Sequence, residues 1–124
     1  MEAQLEQLSM AVTRIVANLN ATDPMRLAKF YEQVFELHVP FDMGWIAFLN
    51  ADATQKIELH LASQGGSGTA LPVISIGVED LDAAEAAVRA AGAEVVYGPV
   101  TEPWGLRRFF FRDPGGNLVN VVDS

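Results

Sequence analysis

Glu58 and His60 stand two residues apart in Lys56-Ile57-Glu58-Leu59-His60-Leu61, where apolar and polar residues alternate. Alternation with period two places Ile57, Leu59 and Leu61 on one face of a strand. Lys56, Glu58 and His60 take the other, with the last two side chains about 7 Å apart. A carboxylate whose pKa is raised by burial is a general base, which makes Glu58 the catalytic candidate. Proton abstraction next to a carbonyl also needs a partner for the developing negative charge, and Arg14, Ser75 and Asn120 are of suitable type. Trp104, between Pro103 and Gly105, offers an indole that can stack on a planar or cationic ligand. The ligand-binding candidates are thus Arg14, Asn18, His60, Ser75, Trp104 and Asn120. Each has a plainer reading: a hydrogen-bonded structural histidine, a solvated sheet face, an indole that plugs the end of a sheet.

The elements that must position these residues come in two similar sets. Ala11–Asn20 reads as a strand with Ile15, Ala17 and Leu19 on one face, expected to be the helix-covered one, and Arg14, Val16, Asn18 and Asn20 on the other. Asp23 and Pro24 are an N-cap and first helical residue, and the helix runs to about Leu37, with Tyr31 and Phe35 expected in the core. Phe41–Leu49 supplies one or two strands, Asn50–Ala53 a turn, and Lys56–Leu61 another strand. Ser63–Thr69, rich in Gly and Ser, reads as a flexible linker. The order then returns: strand Leu71–Val78, helix capped by Asp80 and ended by Gly92, short strand Val95–Tyr97, then Leu106–Phe111. The last two strands, Leu106–Phe111 and Leu118–Val122, flank Asp113-Pro114-Gly115-Gly116-Asn117, a turn by mechanism. Asp23 and Asp80 are 57 residues apart (80 − 23), as are Val16 and Val73. The chain is a duplicated βαβββ unit, with module one at about 11–62, the linker at 63–70 and module two at about 71–123. Residues 2–9 read as a short helical lead-in.

Composition narrows the function classes. Half of the 124 residues are hydrophobic and 19% are charged, which is globular. The net charge of −8, with no basic run, disfavours nucleic acid. No apolar run reaches the ~20 residues of a membrane span, and the acidic start is not a secretory signal. The cytoplasm is the expected compartment. The absence of cysteine removes thiol nucleophiles and zinc–thiolate sites.

Lys29-Phe30-Tyr31-Glu32-Gln33-Val34-Phe35-Glu36-Leu37, Ile57-Glu58-Leu59, Val78-Glu79-Asp80-Leu81-Asp82 and Phe111-Arg112-Asp113-Pro114-Gly115-Gly116-Asn117, in this order, resemble the vicinal oxygen chelate superfamily of glyoxalase I, bleomycin-resistance proteins and extradiol dioxygenases. The resemblance implies an α+β fold, two tandem βαβββ modules in a single domain whose mixed sheets curl into a cup-shaped half-barrel. It also implies a homodimer. In metal-dependent members, one residue from the first and one from the last strand of each module bind a divalent ion. The resemblance puts these positions at Val16, Glu58, Val73 and Asn120. Two valines and a neutral amide are a poor donor set, so no metal and no other cofactor is expected. The resemblance then implies a small-molecule ligand bound in the cup, in the manner of bleomycin-resistance proteins. The alternative is a glyoxalase-like lyase, isomerase or dioxygenase with Glu58 as base or metal ligand.

Overall fold

A computed structural model describes residues 10–53 and 55–123. The lead-in expected at 2–9 lies outside the described residues. β1 (Val12–Asn20) leads to α1 (Pro24–Phe35), followed by β2 (His38–Asp42), β3 (Ile46–Ala51) and β4 (Ile57–Ala62). β5 (Ile74–Val78) leads to α2 (Leu81–Ala90), followed by β6 (Glu94–Thr101), β7 (Arg107–Arg112) and β8 (Leu118–Asp123).

The two modules share one strand order. In the first it is β1-β4-β3-β2 and in the second β5-β8-β7-β6. β1 runs parallel to β4, and β5 runs parallel to β8; the other pairs are antiparallel. Residues 10–15 group with the second module, so the first compact unit begins at Val16 rather than near residue 11. The Met10 carbonyl accepts hydrogen bonds from the N–H groups of Glu79 and Asp80 at 3.1 and 3.2 Å, which ties this stretch to the start of α2.

Both helices begin as their sequences dictate. Asp23 accepts from the Arg26 N–H at 3.3 Å, and Asp80 accepts from the Ala83 N–H at 3.0 Å. Each satisfies an amide that has no partner inside the helix. α1 stops at Phe35 because Glu36 turns left-handed (φ 57°), two residues before the expected end. α2 stops at Ala90, and Gly92 (φ 85°), whose N–H donates to the Arg89 carbonyl at 3.0 Å, turns the chain beyond it. The β7–β8 turn also forms as read. Asp113 accepts from the Asn117 backbone N–H at 2.8 Å, and the Gly116 N–H donates to the Asp113 carbonyl at 2.9 Å. The Asn117 side chain and backbone, then the Gly115 backbone, hold the Asp113 carboxyl below its ordinary value of 3.8.

In the first module Ala28 of α1 packs on Ala47, Leu49 and Leu61, with Leu27, Tyr31 and Leu59 around them. In the second, Leu81 and Ala84 of α2 pack on Val78, Phe109 and Val121. Each core fills one face of its sheet, which leaves the other face for the polar residues.

Several expectations need correction. Ile15, Ala17 and Leu19 are not covered by a helix; Ile15 is 62% exposed and Leu19 38%, whereas Val16 and Asn18 are buried. The reason is the placement of α1, which packs over β2, β3 and β4 and leaves β1 outside its footprint. Phe35 is exposed and stacks on Tyr31 with centroids 6.1 Å apart. β2 starts at His38, before the expected Phe41, and β3 continues to Ala51, into the expected turn. β6 runs on past Tyr97, through a cis Gly98–Pro99 bond, with register shifts against β7. The expected flexible linker is a closed turn. There the Gly65 N–H donates to the Thr69 carbonyl (2.9 Å), and the Thr69 N–H and hydroxyl both donate to the Gly66 carbonyl (3.0 and 2.6 Å).

Candidate functional site

The parallel strands of each module fix which polar residues meet. Asn18 of β1 lies opposite His60 of β4, and Ser75 of β5 lies opposite Asn120 of β8. Asn18 and Ser75 are 57 residues apart (75 − 18), so both pairs occupy the same register of the repeated unit. Both are buried and hydrogen-bonded. His60 Nδ1 sits 3.0 Å from Asn18 Oδ1, and Asn120 Nδ2 donates to Ser75 Oγ at 3.0 Å. An Nδ1–H of His60 would donate to Asn18 Oδ1, and the Asn18 amide turned over would instead donate from its Nδ2 to an unprotonated Nδ1. The Phe48 ring meets the His60 ring edge-on at 4.6 Å.

Asn120 differs in one respect. Its Oδ1 is buried and has no hydrogen-bond partner among the described residues. Turning the amide over exchanges the orphan without removing it: Oδ1 then accepts from Ser75, and Nδ2 is left without an acceptor. A buried polar group without a partner costs about 1–3 kcal/mol. The polar face of the second module therefore holds an amide able to bond to something outside the protein's own groups.

Nearby strands of the second module carry a cluster that sequence reasoning missed. Arg108 and Glu102 are both buried, with Nε of Arg108 2.5 Å from Oε2 of Glu102. The Tyr97 hydroxyl donates to the same oxygen at 2.9 Å. Phe110, Trp104 and Tyr97 surround the guanidinium, with ring centroids 4.7, 5.0 and 5.6 Å from its central carbon. Trp104 rides on a tight turn closed by Gly105 N–H to the Glu102 carbonyl (2.9 Å) and Glu102 N–H to the Leu106 carbonyl (2.8 Å). So the indole expected to stack on a ligand already stacks on Arg108. Of the adjacent arginines, Arg108 takes the polar face with Asn120, because Phe110 pairs with Asn120 and Arg108 lies two residues earlier. Arg107 points the other way and binds Asp82 of α2 at 2.8 Å. Counting outward from the Asp-Pro-Gly-Gly-Asn turn would have given that parity.

Glu58 is half-buried, its carboxylate 3.9 Å from the Lys56 ammonium. Arg14 is half-buried in β1. Register also moves one position in the expected ligand set. Because Asn18 and Ser75 are equivalent, His60 rather than Glu58 is the first module's counterpart of Asn120. The four positions become Val16, His60, Val73 and Asn120. Val16 is fully buried, and Val73 is 49% exposed just outside β5. Within each module, a valine beside an imidazole or beside an amide is not by itself a donor set for a divalent ion. Among the described residues, no three of His, Cys, Asp and Glu come together as a metal-ligating group.

A repeated β-α-β-β-β unit with a polar sheet face opposite each helix defines the class of protein. The family model of the glyoxalase/bleomycin resistance protein/dioxygenase superfamily matches residues 11–121, and the chain belongs to that superfamily. Among solved structures, the NAD-dependent benzaldehyde dehydrogenase from Legionella pneumophila is similar at a TM-score of 0.73 and 14% identity, covering 89% of this chain and 98% of that one. A methylmalonyl-CoA epimerase in complex with methylmalonyl-CoA and NH4+ has a TM-score of 0.63 and 22% identity, covering 93% and 94%. A superfamily member from Vibrio splendidus 12B01 has a TM-score of 0.60 and 14% identity, covering 89% and 97%. At these identities the likeness is one of fold. No curated protein matches the chain in sequence. No helix among the described residues is long and apolar enough to cross a membrane.

Proposed function

We propose that this protein binds a small organic molecule against the polar face of its sheets, without a metal ion, as a sequestering protein of the bleomycin-resistance type. The observation that carries the reading is Asn120, a buried amide with one polar atom unpartnered, aligned with Ser75 in the interior of the sheet. Small-molecule sites combine apolar walls with a few fixed polar groups, and Phe110, Arg108 and Ser75 supply such surroundings. Valines at two of the four superfamily ligand positions support a metal-free site. The exposed Phe30, Val34 and Phe35 of α1 support a homodimer. The absence of a basic run supports a ligand other than nucleic acid, and the cytoplasm is the proposed compartment. A second reading is favoured by His60, whose ring Asn18 holds at Nδ1: an enzyme that moves a proton, with His60 or Glu58 as the base.

Thermal melts of chelator-treated protein with Mn2+, Ni2+, Zn2+ and a bleomycin-class glycopeptide test the proposal. A ligand at about 100 times its Kd adds about 2.7 kcal/mol of stability. The expected result is a rise in Tm with the glycopeptide only, lost in Asn120→Leu, while that variant alone melts no lower than the parent because the orphaned amide is gone. A rise with a divalent ion that Glu58→Gln or His60→Ala abolishes would overturn the metal-free reading.

A further inference from the structure

The two helices are charged in opposite senses. α2 carries Asp82 in its first turn and Arg89 in its last, which complements the helix dipole. α1 has no acidic residue in its first turn and no basic residue in its last. Past the Asp23 cap its first turn holds Arg26, and Glu32 and Glu36 stand at its end, four residues apart and alike in charge. Both features work against the helix on its own. Among the described residues, none of Arg26, Lys29, Glu32 and Glu36 forms an ion pair. Arg26, Lys29, Gln33 and Glu36 are all exposed and follow one line of the helix at i, i+3, i+7 and i+10, positive at its start and negative at its end. Beside them run Leu27, Phe30 and Val34, with Phe30 51% and Val34 53% exposed. At the start of this apolar line a hollow of about 590 Å³ opens beside Leu27 and Phe30, lined also by Asn20 and Ala21.

A two-fold contact must be complementary to itself, and α1 is so in one sense only. We propose that α1 is the homodimer interface, packed antiparallel on the α1 of a second copy with the two-fold axis beside Phe30. The inference rests on the homodimer reading above and adds the surface and its sense. With the axis between positions 30 and 31, Leu27 faces the second copy's Val34, so each valine enters the hollow at the start of the other helix. The charged line meets itself reversed. Arg26 lies opposite the second copy's Glu36, and Lys29 opposite its Gln33. The two helix dipoles run against each other, so each copy offsets the charge order that opposes the other's dipole. A parallel pair would set Arg26 on Arg26 and Glu36 on Glu36, which repels. α1 covers the face of its sheet opposite Asn18 and His60, so the contact leaves the polar face of that module open.

Sedimentation equilibrium of the full chain gives the dimer Kd. Val34→Asp, at a half-exposed position, should raise it about a hundredfold, since two valines lose their burial. Arg26→Glu and Glu36→Arg should each raise it about tenfold, because two exposed pairs turn from attraction to repulsion. The double variant restores both pairs and should return to within about threefold of the parent. Arg26→Glu places an acid in the first turn, so its helix content by circular dichroism should not fall. The chain has no cysteine. Phe30→Cys should therefore link two copies on mild oxidation, whereas the sulfurs of Glu36→Cys, about 16 Å apart along the axis, should not meet. A parent that stays monomeric at every concentration would overturn the homodimer reading and this inference together. A dimer whose Kd is unmoved by Val34→Asp and Arg26→Glu would overturn the inference alone and leave a homodimer built on another surface. So would a double variant no tighter than the single ones, or oxidation that links Glu36→Cys as readily as Phe30→Cys.

Discussion

Replacing Glu102 by Gln keeps the shape of the side chain and removes its charge, which isolates what the buried ion pair contributes. The Glu102 side chain is 2% exposed and that of Arg108 6%, so water cannot take over from a lost partner. Breaking a buried pair by removing one member costs about 3–5 kcal/mol, because the other charge stays behind unpaired. The amide oxygen of Gln still accepts from Nε of Arg108 and from the Tyr97 hydroxyl, which recovers about 1 kcal/mol. The three rings around the guanidinium are unchanged by the substitution and keep the cation in place. The expected loss is therefore near the lower bound, about 3 kcal/mol, or a fall in Tm of roughly 10 °C for a chain of this length. Urea unfolding followed by circular dichroism gives the free energy, and an unchanged m-value shows that the unfolded state is the same. Glu102→Leu combined with Arg108→Met should return to within about 1 kcal/mol of the parent, since an apolar pair of similar volume carries no desolvation cost. A loss below ~0.5 kcal/mol for Glu102→Gln would refute the reasoning, because the Arg108 charge would then be compensated without Glu102.

Three further outcomes follow from geometry alone. Gly65→Ala would put a Cβ 2.2 Å from the Ala70 carbonyl oxygen and 2.3 Å from Thr69 Oγ1, and should cost about 2–3 kcal/mol. Gly68→Ala has open space and only its φ of +77° to oppose it, so it should cost about 1 kcal/mol; the reverse order in urea titrations would contradict the closed turn. The Asp113 carboxyl is held below its ordinary value, so its contribution to stability is fully present above pH 3.8 and disappears as pH falls through the lower folded value. Asn117→Ala should raise the Asp113 pKa, read by carboxyl NMR, and flatten that acid limb. Arg107→Ala removes an exposed pair with Asp82 and should change stability by less than about 1 kcal/mol, in contrast to Arg108→Ala, which breaks a buried ion pair with Glu102.

The order of elements was legible because each carries a local cause: Asp23 and Asp80 as caps, Gly92 as a stop, Asp-Pro-Gly-Gly-Asn as a turn. The side chains of the polar face were legible from alternation. Their partners were not. Whether Asn18 meets His60 depends on how β1 registers against β4, strands joined through a helix and a hairpin, and alternation fixes the face without fixing the register. Glu58 and His60 therefore looked interchangeable as counterparts of Asn120. The exposure of Ile15 and Leu19 had a similar origin, since an aliphatic strand face predicts burial and only the position of α1 shows that β1 is outside its cover. Glu102 gave no periodic signal because it lies in the turn between β6 and β7, where alternation ends.

Duplication explains both what the modules share and where they diverge. The backbone pairing of β1 with β4 is repeated by β5 with β8, and each copy spends its interior register on a hydrogen-bonded polar pair. Such a pair brings no stability that two aliphatic side chains would not bring more cheaply. Keeping it in both copies, with the amide of Asn120 only half satisfied, is the arrangement expected of a face used for recognition. The two copies then differ in what surrounds the pair. His60 meets Phe48 in one, while the other closes Arg108 and Glu102 behind three aromatic rings. On the opposite faces the divergence is one of volume, with aromatic and branched residues on α1 and alanines on α2. Polar pairing and packing thus differ on separate faces of the same repeated sheet, and for that reason a substitution at Asn120 and one at Ala87 should act independently.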